Sequence, residues 1–266
     1  MSHAQRRDVE HFSGHSRMLG ELFAPGQGAQ PGRPPVLLIH DAFGLGTFIT
    51  EIALALAERG HAVFAADIWG ERTRPGSEAE IGPLIGSMVG NHAEWIARLG
   101  AAHAAAAAQP EIAGAPLVAL GYCFGGSSAL EYLRSGAALA GVIAIHPGLD
   151  LIGIDYAAAG DAPVLLCLGA SAPMAAPAQR DHLARALRDP ATDREHGNDW
   201  EMALYGHTVH AFTNPASAHS PHPEVVAHHP VNAARAWKAA LGFLDELSSD
   251  PPADPSPHSA PSAACA

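Results

Sequence analysis

Five residues, Gly121-Tyr122-Cys123-Phe124-Gly125, set a thiol between two glycines on the pattern G-x-nucleophile-x-G. Before them, residues 116–120 form a short apolar run that reads as a buried strand. After them, residues 126–134 read as a helix closed by Ser135-Gly136. A nucleophile held in such a turn needs small residues beside it, because side chains there collide with the neighbouring backbone. The chemistry this suggests is attack by sulfur on an electrophilic carbonyl, with a nearby base taking the proton. The same pentapeptide also fits a plain strand-to-helix turn around a buried structural cysteine. Partners elsewhere in the chain decide between the two.

On a strand–elbow–helix scaffold the partners follow in the order nucleophile, acid, histidine. Residues 200–205 read as a strand, residues 206–215 as the loop leaving it, and residues 231–247 as a final helix with Trp237, Ala240, Leu241 and Leu244 on one face. His210 therefore lies in the last strand-to-helix loop, on the sheet edge where Cys123 emerges, and His207 competes from the same loop. The acid is harder to place. Residues 162–168 read as the strand before the acid loop, yet no carboxylate occurs between Gly169 and Gln179. Asp181 falls inside the following helix, residues 178–188, while Asp150 and Asp155 come one strand earlier. Cysteine tolerates the gap better than serine would, because its reference pKa of about 8.5 lies near neutrality. The N-terminus of the helix after Cys123 also favours thiolate.

The positioning elements follow a regular alternation. Strand-like segments at residues 36–40, 62–66, 117–120, 142–145, 164–168 and 201–205 are separated by helix-like ones. One helix spans residues 47–59, with Ile49, Ile52, Ala53 and Leu56 at helical spacing and Gly60 as its stop. The Ala-rich residues 92–108 form another, ended by Gln109-Pro110. Such alternation implies an α/β fold with a mostly parallel sheet covered by helices on both faces. Residues 18–24 are expected to add an antiparallel edge strand.

From Arg17 to Leu247 the chain resembles the dienelactone hydrolase family. The likeness rests on five pieces in order, at residues 40–45, 60–67, 121–126, 146–149 (His-Pro-Gly-Leu) and 205–212 (Tyr-Gly-His-Thr-Val-His-Ala-Phe). It implies an α/β-hydrolase fold without a large lid, with Cys123 as nucleophile and His210 as base. The backbone N–H groups of Phe124 and Ala42 would form the oxyanion hole. The sequence departs from the family at three places. Ala172 stands where the triad aspartate belongs, Asp41 replaces a longer glutamate near the thiol, and Thr213-Asn214 stand where an arginine clamp would hold a substrate carboxylate. Asp150 is the candidate replacement acid, and Asp41 a candidate modulator of the thiol.

With 266 residues and 48% apolar content, one large α/β core accounts for the chain. The expected organisation is a flexible segment over residues 1–16, the hydrolase domain over 17–247, and a disordered Pro/Ala/Ser tail over 248–266 carrying an incidental Cys265. There is no signal-peptide run or membrane-length apolar stretch, and three cysteines make no disulfide framework, which together suit a reducing cytoplasm. A net charge of −12 without a basic patch argues against nucleic acid. His219, His222, His228 and His229 cluster in a Pro-rich stretch, but without cysteine or carboxylate ligands they are not read as a metal site, and no cofactor is expected. The resulting expectation is a monomeric or homodimeric hydrolase of small-molecule esters, lactones or thioesters acting through an acyl-enzyme. Two alternatives remain: a degenerate family member that binds a ligand with little turnover, and a redox role for Cys123 with Cys167 or Cys265 as the resolving thiol.

Overall fold

The computed structural model describes residues 4–26, 32–188 and 197–248. Its strands are β1 (Gln5–Ser13), β2 (Ser16–Ala24), β3 (Val36–Ile39), β4 (Val63–Ala66), β5 (Val118–Tyr122), β6 (Gly141–Ile145), β7 (Val164–Gly169) and β8 (Trp200–Tyr205). The helices are α1 (Thr47–Ala57), α2 (Glu78–Gly90), α3 (His92–Ala107), α4 (Phe124–Arg134), α5 (Pro177–Arg188) and α6 (Pro230–Glu246). All eight strands join one sheet in the order β1-β2-β4-β3-β5-β6-β7-β8. From β4 to β8 the neighbours run parallel, and β1 and β2 close one edge antiparallel. This is the mostly parallel sheet the alternation implied, in the α/β-hydrolase arrangement expected from the family resemblance.

Burial explains the pattern of each strand. In β3, Leu37 and Ile39 join one apolar cluster with Trp95, Leu99 and Phe124, while Val36 and Leu38 join another with Ile49, Leu56 and Ala240. Successive side chains point to opposite faces, so a strand covered on both sides must be apolar throughout. In register, Ile39 pairs with Gly121, Tyr122 with Ile145, and Ile145 with Cys167. The residues just past β3, β5, β6, β7 and β8 therefore emerge together on one edge of the sheet, where ligands bind in open α/β folds.

Two expectations change. Residues 5–13 of the supposedly flexible N-terminal segment form β1, paired along their whole length with β2 and turning at Gly14 (φ 56°). β1 takes the edge position expected for residues 18–24. It is anchored mainly by polar links, Arg6 to Glu21 (2.7 Å), Arg7 to Glu111 (2.6 Å) and Arg72 to Asp8 (3.0 Å). A strand held that way lacks the apolar alternation that signals a half-buried strand. Helix α2 was also unanticipated; it carries Pro83 and three glycines, and only Met88 is buried. The expected tail beyond Ser248 lies outside the described residues.

Candidate active site

Cys123 sits in the turn between β5 and α4 at φ 54° and ψ −119°, a conformation a cysteine adopts only when its surroundings impose it. Here the imposition is close backbone packing. A Cβ on Gly121 would lie 2.0 Å from Gly125 O, and one on Gly125 would lie 2.3 Å from Ile39 O. Only glycine fits at either position, so the elbow motif reflects an approach of β3 to the start of α4. Helix α4 is itself buried from Phe124 to Leu133, which fixes its N-terminus beneath the thiol.

His210 Nε2 lies 3.1 Å from Cys123 Sγ. The loop is held from two sides. The His210 N–H donates to Val225 O (3.0 Å), and Thr208 is tied to Asn232 in the first turn of α6 (2.6 Å). His207 is exposed and does not reach the sulfur. The N–H groups of Phe124 and Ala42, the two amides named from the family resemblance, act on the thiol by lowering its pKa. Burial nevertheless pushes the Cys123 thiol up to about 12, Asp41 adding to the rise and the two amides opposing it. Burial pulls His210 down to about 4. Burial thus favours the neutral form of both groups, opposite to the easily formed thiolate expected from an ordinary cysteine pKa.

Asp41 follows β3 and is buried; desolvation pushes its carboxyl up to about 6 against the Phe43 N–H (2.9 Å) and the Asn214 amide (3.5 Å). The acid position behaves differently. The loop after β7 docks where a triad acid belongs, its Ser171 N–H donating to Thr208 O (2.9 Å), but Ala172 offers only a methyl group. His210 Nδ1 is buried without a hydrogen-bond partner among the described residues. Asp150 is exposed and does not bond to His210, and neither does Asp41, so the proposed replacement acid is not formed.

Residues to which the sequence assigned no role also support the site. Trp69 donates its indole N–H to Ala42 O (3.1 Å) and stacks on Phe124 at 4.4 Å, while Trp95 packs on Phe124 at 5.2 Å. One indole thus holds both residues expected to supply the oxyanion amides. His146, directly after β6, packs edge-on against His210. Isolated aromatic residues carry no spacing signal, which is why none stood out in the sequence beyond the family's His-Pro-Gly-Leu piece.

The second histidine cluster does structural work. His228 Nδ1 and the His229 N–H both meet Phe212 O (3.0 Å each), and His229 Nδ1 accepts from Asn232 N at the start of α6 (3.3 Å). No group of three metal-ligating side chains is gathered among the described residues. A cleft of about 810 Å³ opens next to Asp41 and Asn214; neither Cys123 nor His210 lines it. Among the described residues no helix is long and apolar enough to cross a membrane.

The fold is shared widely. A dienelactone hydrolase-like promiscuous phosphotriesterase from metagenomic libraries superposes with a TM-score of 0.83 at 30% identity, over 92% of this chain and 99% of that one. Dienelactone hydrolase from Anabaena variabilis gives a TM-score of 0.59 at 17% identity over 91% and 97%. The acylaminoacyl peptidase of Pyrococcus horikoshii gives 0.70 at 13%, over 96% of this chain and 44% of that one. The last two show the fold alone. No curated protein matches the sequence. The dienelactone hydrolase family itself matches residues 22–248, the span that holds the elbow, the loop after β3 and the histidine loop. The chain belongs to the dienelactone hydrolase family, hydrolases of the ester and lactone type.

Proposed function

We propose that the protein hydrolyses neutral carboxylic esters or lactones through a Cys123 acyl-enzyme. The observation that carries this is the 3.1 Å contact between His210 Nε2 and Cys123 Sγ. Sulfur attacks the carbonyl carbon while its proton passes to His210 Nε2. The oxyanion so formed is held by the Phe124 and Ala42 amides. Its collapse breaks the bond to the leaving oxygen, which takes the proton back from His210. Water, deprotonated by His210, then attacks the thioester, and Cys123 leaves as the thiol. A base that rests neutral and a thiol that rests protonated suit concerted transfer, since neither reacting group is charged before substrate arrives.

The cleft supports a neutral substrate. Its walls include Phe43, Phe48, Ile49 and Val226, and three carboxylates (Asp41, Glu51 and Glu78) face one arginine, Arg74. Anionic esters meet net repulsion there, in keeping with Thr213 and Asn214 standing in place of a carboxylate clamp. The second reading, a ligand binder with little turnover, draws on the unpartnered His210 Nδ1. Pre-steady-state kinetics with a p-nitrophenyl ester separates them. The hydrolase gives a burst equal to the enzyme concentration and a Cys123-bound acyl group by mass spectrometry, and Cys123→Ala abolishes both. No burst and no adduct would leave the binder. A phosphotriester belongs in the same panel, because the metagenomic relative is described as a phosphotriesterase.

A further inference from the structure

His210 has to hold its proton on Nδ1 if Nε2 is to accept one from the thiol, so Nδ1–H is a donor that requires an acceptor. Ala172 supplies none, and the nitrogen is buried and unpartnered. Against this ring lies a second buried imidazole with the same defect. His146 packs edge-to-face on His210, centroids 5.2 Å apart and planes at 67°, and its own Nδ1 is also buried without a partner. Its Nε2 is tied to Thr213 Oγ1 at 2.8 Å. When Nε2–H donates to that hydroxyl, Nδ1 is left as an acceptor. The two orphaned atoms are then complementary, one donor and one acceptor.

We propose that His146 is the positioning residue that takes over from the absent triad acid, accepting from His210 Nδ1–H through a small ring rotation or one bridging water. The backbone agrees with a site under constraint. His146 has φ 40°, a left-handed conformation that is strained for a bulky residue and persists only where the surroundings impose it. Four neighbours impose it here, as the His146 N–H donates to Cys167 O (2.7 Å) and the ring is pinned between Tyr122, Phe212 and His210. Desolvation, with His210 beside it, holds His146 well below the usual histidine range, so it remains a neutral acceptor. A neutral acceptor sets the tautomer and ring plane of His210 but leaves its transient positive charge unbalanced.

This inference rests on His210 being the base, and its test separates the two ideas. His146→Phe keeps the ring and its edge contact while removing both nitrogens; Thr213→Val keeps His146 but removes the group that fixes its tautomer. Each is made in the natural chain and in an Ala172→Asp background, with melting temperature as a folding check. The burst rate on a p-nitrophenyl ester is expected to fall about ten- to a hundredfold in both single variants with KM unchanged, the range for losing one hydrogen bond to a group that becomes charged. In the Ala172→Asp background the same substitutions should cost less than threefold, because a carboxylate then serves His210. Equal losses in both backgrounds, a loss confined to KM, or no loss would overturn the role of His146. Absence of a burst in the natural protein would instead refute the proposed hydrolase.

Discussion

Replacing Asp41 with asparagine should make the protein more stable, and by an amount that depends on pH. Burial raises the Asp41 carboxyl from 3.8 to about 6. Below the lower value both folded and unfolded chains hold the proton and the carboxyl contributes nothing. As pH rises toward 6 the unfolded chain ionises first, so stability is lost progressively and levels off above about 6. A rise of about two units, at about 1.36 kcal/mol each, corresponds to roughly 3 kcal/mol of destabilisation at pH 8. Asparagine keeps an oxygen for the Phe43 N–H but turns a second amide toward Asn214, which offsets some of the gain. The net expectation is about 2 kcal/mol in favour of Asp41→Asn at pH 8, shrinking by more than half at about pH 4.5. His210 titrates in the same window, but it is present in both proteins and cancels in the difference. Urea unfolding at the two pH values measures the gain. A variant that is no more stable at pH 8, or whose gain is the same at both, refutes the view that Asp41 is an ionised group held against its solvation. The same substitution should speed alkylation of Cys123 by iodoacetamide, since Asp41 helps hold the thiol protonated.

Because burial brings His210 down to about 4, the base stays unprotonated well below the ordinary histidine range; kcat/KM of Asp41→Asn should therefore fall only as pH drops toward 4, and an acid limb near 6.5 would contradict the burial of that ring. His210→Ala should reduce turnover on the order of 10²–10⁴-fold, while His207→Ala, at an exposed position, should leave it within twofold; a larger loss for His207 overturns the assignment. Trp69→Phe retains an aromatic face for Phe124 but releases Ala42 O, so kcat should drop several-fold with little change in KM, and an unchanged kcat would show that the oxyanion amides hold themselves.

The sequence by itself determined the fold class and which thiol and imidazole come together. Parallel strands buried on both faces must be apolar throughout, and an elbow pressed against neighbouring backbone must be built from glycine, so both leave local signatures around Val36–Ile39 and Gly121–Gly125. His210 was legible because it follows the last strand. What local pattern could not carry is anything decided by cross-chain contact. β1 escaped notice because ion pairs with Glu111 and Arg72, many residues away in sequence, anchor it in place of an apolar face. Asp150 looked suitable by order along the chain, but only the packed loops show it turned to solvent and His210 Nδ1 left alone. The same packing, which no spacing rule encodes, strips water from Cys123, Asp41 and His210, moving the first two up and the third down. It also lays His146 against His210, because β6 is the neighbour of β5 in the folded sheet. Residue types are written in the chain; their protonation and their partners depend on which other strands and loops come to lie beside them.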